Sequence, residues 1–260
     1  AIYTRKDGNI ETKMEVVVSP EHNVEIRRIT LTNNSEYGRV LEVTSYFEPI
    51  ITGQQDDMAH PAFSNLFVQT EYVSEHNTLL ATRRLRSKNQ RKIWLAHSLV
   101  LEGEAIGSIQ YETSRQKFIG RGRDLECPRA LDPEQPLSNT VGSVLDPIMS
   151  LRQRIGIGPG QSATISFIIA AADSRESAIA LAREYQSPSV VSRAFELAWT
   201  HSQVEMRYLN ISDRDVNLYQ AMASNILFLS PMRRSYYKKY KGEIWLMGIW
   251  HLWGFANCGR

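Results

Sequence analysis

Gly120-Arg121-Gly122-Arg123-Asp124 sets two arginines beside two glycines, and these are the residues of the chain best suited to holding a ligand. Glycines flanking an arginine let the backbone approach a ligand or another domain. Planar guanidinium forks match carboxylate, phosphate and sugar hydroxyl acceptors. The glycine spacing is neither that of a dinucleotide fingerprint nor that of a phosphate-binding loop, and no Gly-Lys-Ser/Thr follows. Arg121 and Arg123 are therefore the candidate substrate-binding residues. Other combinations carry less. His60 follows Asp56 and Asp57 in a turn-rich stretch, but no spacing there makes a triad or a metal site, and His60 to Ser64 reads as a strand-entry loop. Glu102 and Glu104 fall on a strand and a turn, where carboxylates face solvent. The six histidines show no HExxH or paired spacing, and the cysteines, Cys127 and Cys258, lie far apart. No catalytic residue and no metal site is assigned.

The arginines open an unbroken unit from Phe118 to Tyr185. After them come Ser143 to Ile157, a turn at Gly158-Pro159-Gly160-Gln161, and the apolar strand Ala163 to Ala172. Asp173-Ser174-Arg175-Glu176 then starts a helical pattern. Two strands across a Gly-Pro-Gly turn, with a capped helix leaving the second, make a compact folding unit. Between the arginines and the first of these strands, Cys127 to Asn139 carries Pro128, Pro133 and Pro136 and must be an irregular loop. Loops of that length are usually functional or packed on a partner.

Composition sets the limits. The chain has 260 residues, 42% hydrophobic and 22% charged, with a formal net charge of +2. That is ordinary globular material and gives no reason to invoke nucleic acid. The dense basic run from Arg83 to Lys92 reads as a solvated hairpin tip or strand edge, where positive charge discourages edge pairing; the alternative is a phosphate or acidic-partner patch, though no aromatic interleaving supports base stacking. Apolar runs are strand-length, well short of the roughly 20 residues of a membrane helix. With no signal peptide at the start, the expected setting is soluble, reducing and cytoplasmic.

Upstream of the central unit the pattern is strands throughout. Ala1 to Lys6 is already strand-like. Ile10–Val18 and Val24–Thr32 are β-branched segments joined across Ser19 to Asn23. In the second, Val24, Ile26, Arg28 and Thr30 share one face while Glu25, Arg27, Ile29 and Leu31 share the other. That imperfect alternation is expected of a strand partly covered on both sides. Arg39 to Glu48 follows an Asn33-Asn34-Ser35-Glu36 turn. Strand signals resume at Phe67–Tyr72, Thr78–Arg84, Ile93–Leu101 and Ser108–Glu112, a spacing typical of a sandwich. After Ala172 the period changes. Ala178, Leu181, Ala182 and Tyr185 mark one helix, Val190 to Ala198 a second, and Val216 to Leu227 a third capped by Asp213. The expected fold is thus mainly β, an antiparallel β-sandwich over 1–172, followed by α-helical linker segments over 173–241.

The order of these pieces resembles the amino-terminal β-sandwich of glycoside hydrolase family 94, the inverting disaccharide and oligosaccharide phosphorylases. The chain is also similar to the carboxyl-terminal region of cyclic β-1,2-glucan synthases. The resemblance is carried by LEVTSYFEPI (41–50), HPAFSNLFV (60–68), FIGRGRDLECPRAL (118–131) and the run from Val141 to Tyr185. It implies a galactose-mutarotase-like super-sandwich that packs through helical linkers onto an (α/α)6 barrel. In the family that barrel supplies the catalytic acid and the phosphate site, and inorganic phosphate replaces water as attacker on the glycosidic bond. No cofactor is implied; inorganic phosphate is the co-substrate of the intact family.

The family's next motif, similar to GQSGLWAYGISGDLPIV, is missing after Lys241. Codons permitted for Gly242 onward, read one nucleotide later, can spell such a motif, so 242–260 is read as an out-of-frame or disordered tail. The resemblance then implies a non-catalytic carbohydrate-associated module, with β-glucan or oligosaccharide and the parent's catalytic barrel as partners. Arg121 and Arg123 would face the barrel or the sugar. The alternatives are an active glycosyltransferase or phosphorylase on β-linked glucans and a homodimerisation scaffold.

Overall fold

The computed structural model describes residues 1–53, 57, 59–85, 87, 90–212 and 214–223. The tail 242–260, the Asp213 cap and the Ile226–Leu227 end of the third helix lie outside the described residues. Among the described residues, eleven strands form two antiparallel sheets. The strands are β1 (Ile2–Asp7), β2 (Ile10–Val18), β3 (Val24–Asn33), β4 (Arg39–Thr44), β5 (Val68–Val73), β6 (Thr78–Arg83), β7 (Trp94–Glu102), β8 (Glu104–Ser114), β9 (Gly142–Ser143), β10 (Pro147–Ile157) and β11 (Ser162–Ala172). The large sheet runs β1-β2-β3-β11-β7-β6-β5-β9, and the small one β4-β10-β8. Five α-helices accompany them among the described residues: α1 (Pro61–Asn65), α2 (Arg115–Ile119), α3 (Arg175–Glu184), α4 (Pro188–Tyr208) and α5 (Val216–Ala223).

The layers follow from β11, whose apolar run does not alternate because both its faces are covered. Ile165, Phe167 and Ile169 point between the sheets, where they meet Leu95 and Leu99 of β7 and Phe47, Met149 and Leu151 on the small-sheet side. Ile168 and Ala170 point the other way, onto Ala178, Ala182 and Tyr185 of the first long helical segment and Val191 and Ala194 of α4. Small residues on both sides of that contact let the helices lie close to the sheet. Full burial of each large side chain contributes about 1.5–3 kcal/mol. Ser174 caps α3 by accepting the Ser177 N–H at 3.0 Å. Tyr185 closes the layer, donating its hydroxyl proton to Ser19 Oγ at 2.7 Å.

On β3 the two-sided reading also appears in the side chains. Arg28 lies 4.1 Å over the Phe195 ring on the helix side. Glu25 and Arg27, on the other face, form a buried ion pair at 2.6 Å. Several expectations need correcting. His60 to Ser64 enters no strand: Pro61 starts α1, since its fixed φ suits the first helical turn. The residues just before the glycine-arginine loop are helical, α2, with Ser114 as N-cap. Arg83 is no solvated tip residue; it is 4% exposed and lies beneath the Phe67 ring. The second helix runs well past Ala198 to Tyr208.

Residues 115–146 form a fourth layer on the outer face of β10. Tyr46, Phe118, Ile119, Ala130, Leu137 and Ile148 give it a small core of its own. Buried Glu112 staples it, accepting the Thr113 and Ser114 N–H groups on one oxygen and Ser138 on the other. Gly120, at φ +87°, lies so close to the loop's far stem that a Cβ there would stand 2.8 Å from Arg129 Cβ.

His97 bolts the two sheets together. Its Nδ1–H donates to the Ile168 carbonyl at 2.9 Å, leaving Nε2 to accept the Ser45 hydroxyl at 2.7 Å. The ring is 1% exposed and packs against Phe47 and Phe167. Burial pushes its pKa down to about 3 from 6.5. Between those values the unfolded chain binds a proton that the native chain refuses. This contribution is complete above pH 6.5 and is lost as pH falls toward 3, by up to about 1.4 kcal/mol per pH unit. We expect His97→Gln to be less stable at pH 7 by about 1–3 kcal/mol yet to show a shallower acid loss in urea titrations from pH 7 to 4. Equal slopes for both proteins would contradict the assignment.

Candidate functional site

The glycine-arginine loop borders an open cleft of about 820 Å³ between the 114–126 and 140–146 segments. Arg115, Lys117 and Arg123 line it on the cationic side, and Asp124, Glu126 and Asp146 on the anionic side. Ile119, Leu125, Val144 and Leu145 supply apolar wall. Three cations against three anions leave no strong field for a free anion.

One end of the cleft is a polar corner built from several segments. Tyr46 donates to Glu48 at 2.6 Å, and Arg115 Nε donates to the same Glu48 oxygen at 2.9 Å. Arg115 also stands 3.7 Å from Asp146, which accepts Asn65 Nδ2–H at 3.1 Å. Burial raises the Asp146 pKa, Arg115 opposes that, and Glu48 adds to it. Burial and the hydrogen bond to Glu48 raise the Tyr46 pKa. These residues come from LEVTSYFEPI, HPAFSNLFV and the Asp146-Pro147 step, so three separated stretches converge here. The convergence could not be read from the sequence, because Arg115, the residue that joins them, lies in none of the three.

At the other end the two candidate arginines differ. Arg123 donates to Asp132 at 2.6 Å, a hydrogen bond that raises its pKa. Asp124 accepts the Glu126 and Cys127 N–H groups and so turns the chain. Arg121 is exposed and has no hydrogen bond or ion pair among the described residues. Gly120 and Arg123 line the cleft, and Arg121 lies between them in the chain. Lys117 Nζ donates to Thr140 Oγ1 at 2.6 Å.

Sequence reasoning missed Arg152. It stands on β10 with its side chain 2% exposed. Its Nε donates to Thr44 Oγ1 at 2.8 Å, Nη1 to the Gln135 carbonyl at 2.8 Å, and Nη2 to the Ala130 carbonyl. Burial lowers its pKa, opposed by Glu42. Nothing in Leu151-Arg152-Gln153-Arg154 marks one arginine as covered and the other as exposed. Two apart on a strand that pairs regularly with β4, they share one face and both reach Glu42, but the covering segment accepts only from Arg152. Among the described residues no group of His, Cys, Asp and Glu is arranged to hold a metal ion. No described helix is long and apolar enough to cross a membrane.

Comparison with known proteins agrees with this architecture. Cyclic beta-(1,2)-glucan synthase NdvB of Rhizobium meliloti (strain 1021) is 32% identical over 228 residues, which is 88% of this chain and 8% of NdvB. Solabiose phosphorylase of Paenibacillus borealis is 27% identical over 199 residues, 74% of this chain and 24% of the phosphorylase. The chain therefore spans a small part of the length of both relatives. Among solved structures, a polysaccharide lyase aligns at a TM-score of 0.38 and 13% identity, over 67% of this chain and 22% of the lyase. The supersandwich-domain model of glycosyl hydrolase family 94 matches residues 1–188, and the chain belongs to that family.

Proposed function

We propose that this chain is a non-catalytic, carbohydrate-associated β-sandwich module of a cyclic β-1,2-glucan synthase or β-glucan phosphorylase, and that its cleft binds glucan. The observation that supports it most is a contrast in and beside the cleft: Arg121, exposed next to the lining residue Gly120 but not itself part of the lining, has no partner among the described residues, whereas Arg115, Arg123 and Asp146 are each engaged by protein groups. Balanced donors and acceptors beside apolar wall suit a neutral polyol better than free phosphate, which would need surplus positive charge. Glu48 and Asp146, the carboxylates nearest a catalytic pair, both stand beside Arg115 and hold a corner together. In this reading the acid and the phosphate site lie on a helical barrel of the parent enzyme, and the sandwich ends near Ala172 with linker helices beyond it.

The alternative of an active phosphorylase is decided by the same preparation. Linear β-1,2-glucan should bind, and Arg121→Ala should weaken binding by about tenfold, the size of one charge-assisted hydrogen bond. Arg123→Ala should act less directly, through the loop. Incubation with inorganic phosphate should release no glucose 1-phosphate; turnover that survives purification would overturn the non-catalytic reading.

A second reading, self-association, is favoured by the far end of the helices. Trp199, Tyr208, Leu218 and Met222 are 67%, 86%, 62% and 50% exposed. An apolar surface of this kind is an association hazard. Sedimentation should show oligomers that grow with concentration and shrink in Trp199→Ser/Tyr208→Ser. A monodisperse monomer at high concentration would count against association.

A further inference from the structure

We propose that Arg152 is the positioning residue for the ligand-facing loop, and that Arg123 is the clasp of that loop rather than a ligand contact. The proposal rests on the glucan-binding reading above and divides the two candidate arginines by role.

Arg152 is a buried cation whose one ion pair among the described residues is a long one, its Nη1 standing 3.7 Å from Glu42 Oε2. Its donors go instead to neutral acceptors, namely a threonine hydroxyl on β4 and two backbone carbonyls of the covering segment. Burying a guanidinium is costly unless its donors are matched, and this one matches them by gripping the chain at Ala130 and Gln135. A lysine lacks the planar fork needed to reach three divergent acceptors.

The grip has a direction. Ala130 sits in a 3-10 turn, Arg129–Leu131, and the residue after that turn, Asp132, holds Arg123 at 2.6 Å. On the opposite stem Gly120 lies against Arg129. The loop 120–132 is thus closed at both stems over a floor provided by Arg152, and Arg121 is its exposed guanidinium without a partner among the described residues. Three loop amides report on this closure, because Leu131, Asp132 and Gln135 donate within the loop to Pro128, Arg129 and Asp132.

Hydrogen exchange on the whole chain tests the idea, alongside titration with linear β-1,2-glucan. In Arg152→Met the three reporter amides should exchange about tenfold faster or more while β11 amides hold. Glucan affinity should fall by about tenfold, and in an Arg121→Ala background the same substitution should cost less than about twofold further. Asp132→Asn, which leaves the floor intact, should reproduce the faster exchange and serves if Arg152→Met does not fold. Unchanged reporter amides, exchange that rises equally in β11, or additive losses with Arg121→Ala would each overturn the proposal. A wild type that binds no glucan would instead sink the glycan reading, and the exchange arm would then decide the positioning role alone.

Discussion

Covering β11 on both faces is the constraint from which the rest of this molecule follows. Its run from Ala163 to Ala170 is buried apart from the half-buried Thr164, which leaves no polar face for solvent. An antiparallel sheet can afford one wet face; a strand of this composition cannot have either. The small sheet therefore closes one side through Phe47, Met149 and Leu151, and α3 with the first half of α4 closes the other. The helices that follow the sandwich are in this sense part of its core. His97 sets the relative placement of the two sheets, since one ring nitrogen serves β11 and the other serves Ser45 beside the small sheet.

The candidate cleft is built one layer farther out. A small sheet of three strands offers an outer face too narrow to leave bare, and residues 115–146 cover it with a core of their own around Phe118 and Ile148. The covering segment would be a floppy surface loop if apolar contacts alone held it. Buried Glu112 and Arg152 supply the directional bonds, one accepting from backbone N–H groups and the other donating to backbone carbonyls. Buried charges satisfied by backbone partners fix geometry because any displacement leaves them unpaired. The cleft and the exposed arginine beside it inherit that geometry.

Much of this was legible in the residues. The unalternating β11 run, the Gly-Pro-Gly turn, the two-sided pattern of Val24 to Leu31 and the change of period after Ala172 each translate directly into burial. The family resemblance rests on stretches that the fold brings together around Arg115. Other features left no signal. Five-residue helices such as α1 and α2 are too short to show a period, and Pro61 could be read equally as a loop. A lone histidine gives no hint that it is a satisfied core bolt. Arg121 and Arg123 have the same type and the same flanking glycine, and what separates them is Asp132, nine residues beyond Arg123 and placed by a turn. Arg152 is buried because the covering segment, far from it in the chain before β10, lays the Ala130 and Gln135 carbonyls over it, which no composition rule predicts.

The central claim is that the cleft on the outer layer, with Arg121 exposed beside it, binds a neutral glucan. Nuclear magnetic resonance of the arginine side chains and backbone amides during titration with linear β-1,2-glucan tests it most directly. The account predicts saturable shifts at the Arg121 Nε–H and at the amides of Gly120–Glu126 and Thr140–Asp146, with the helical face of the large sheet silent. Shifts centred on α4 and α5 or on the β1 edge, or a spectrum unchanged at high glucan, would contradict it.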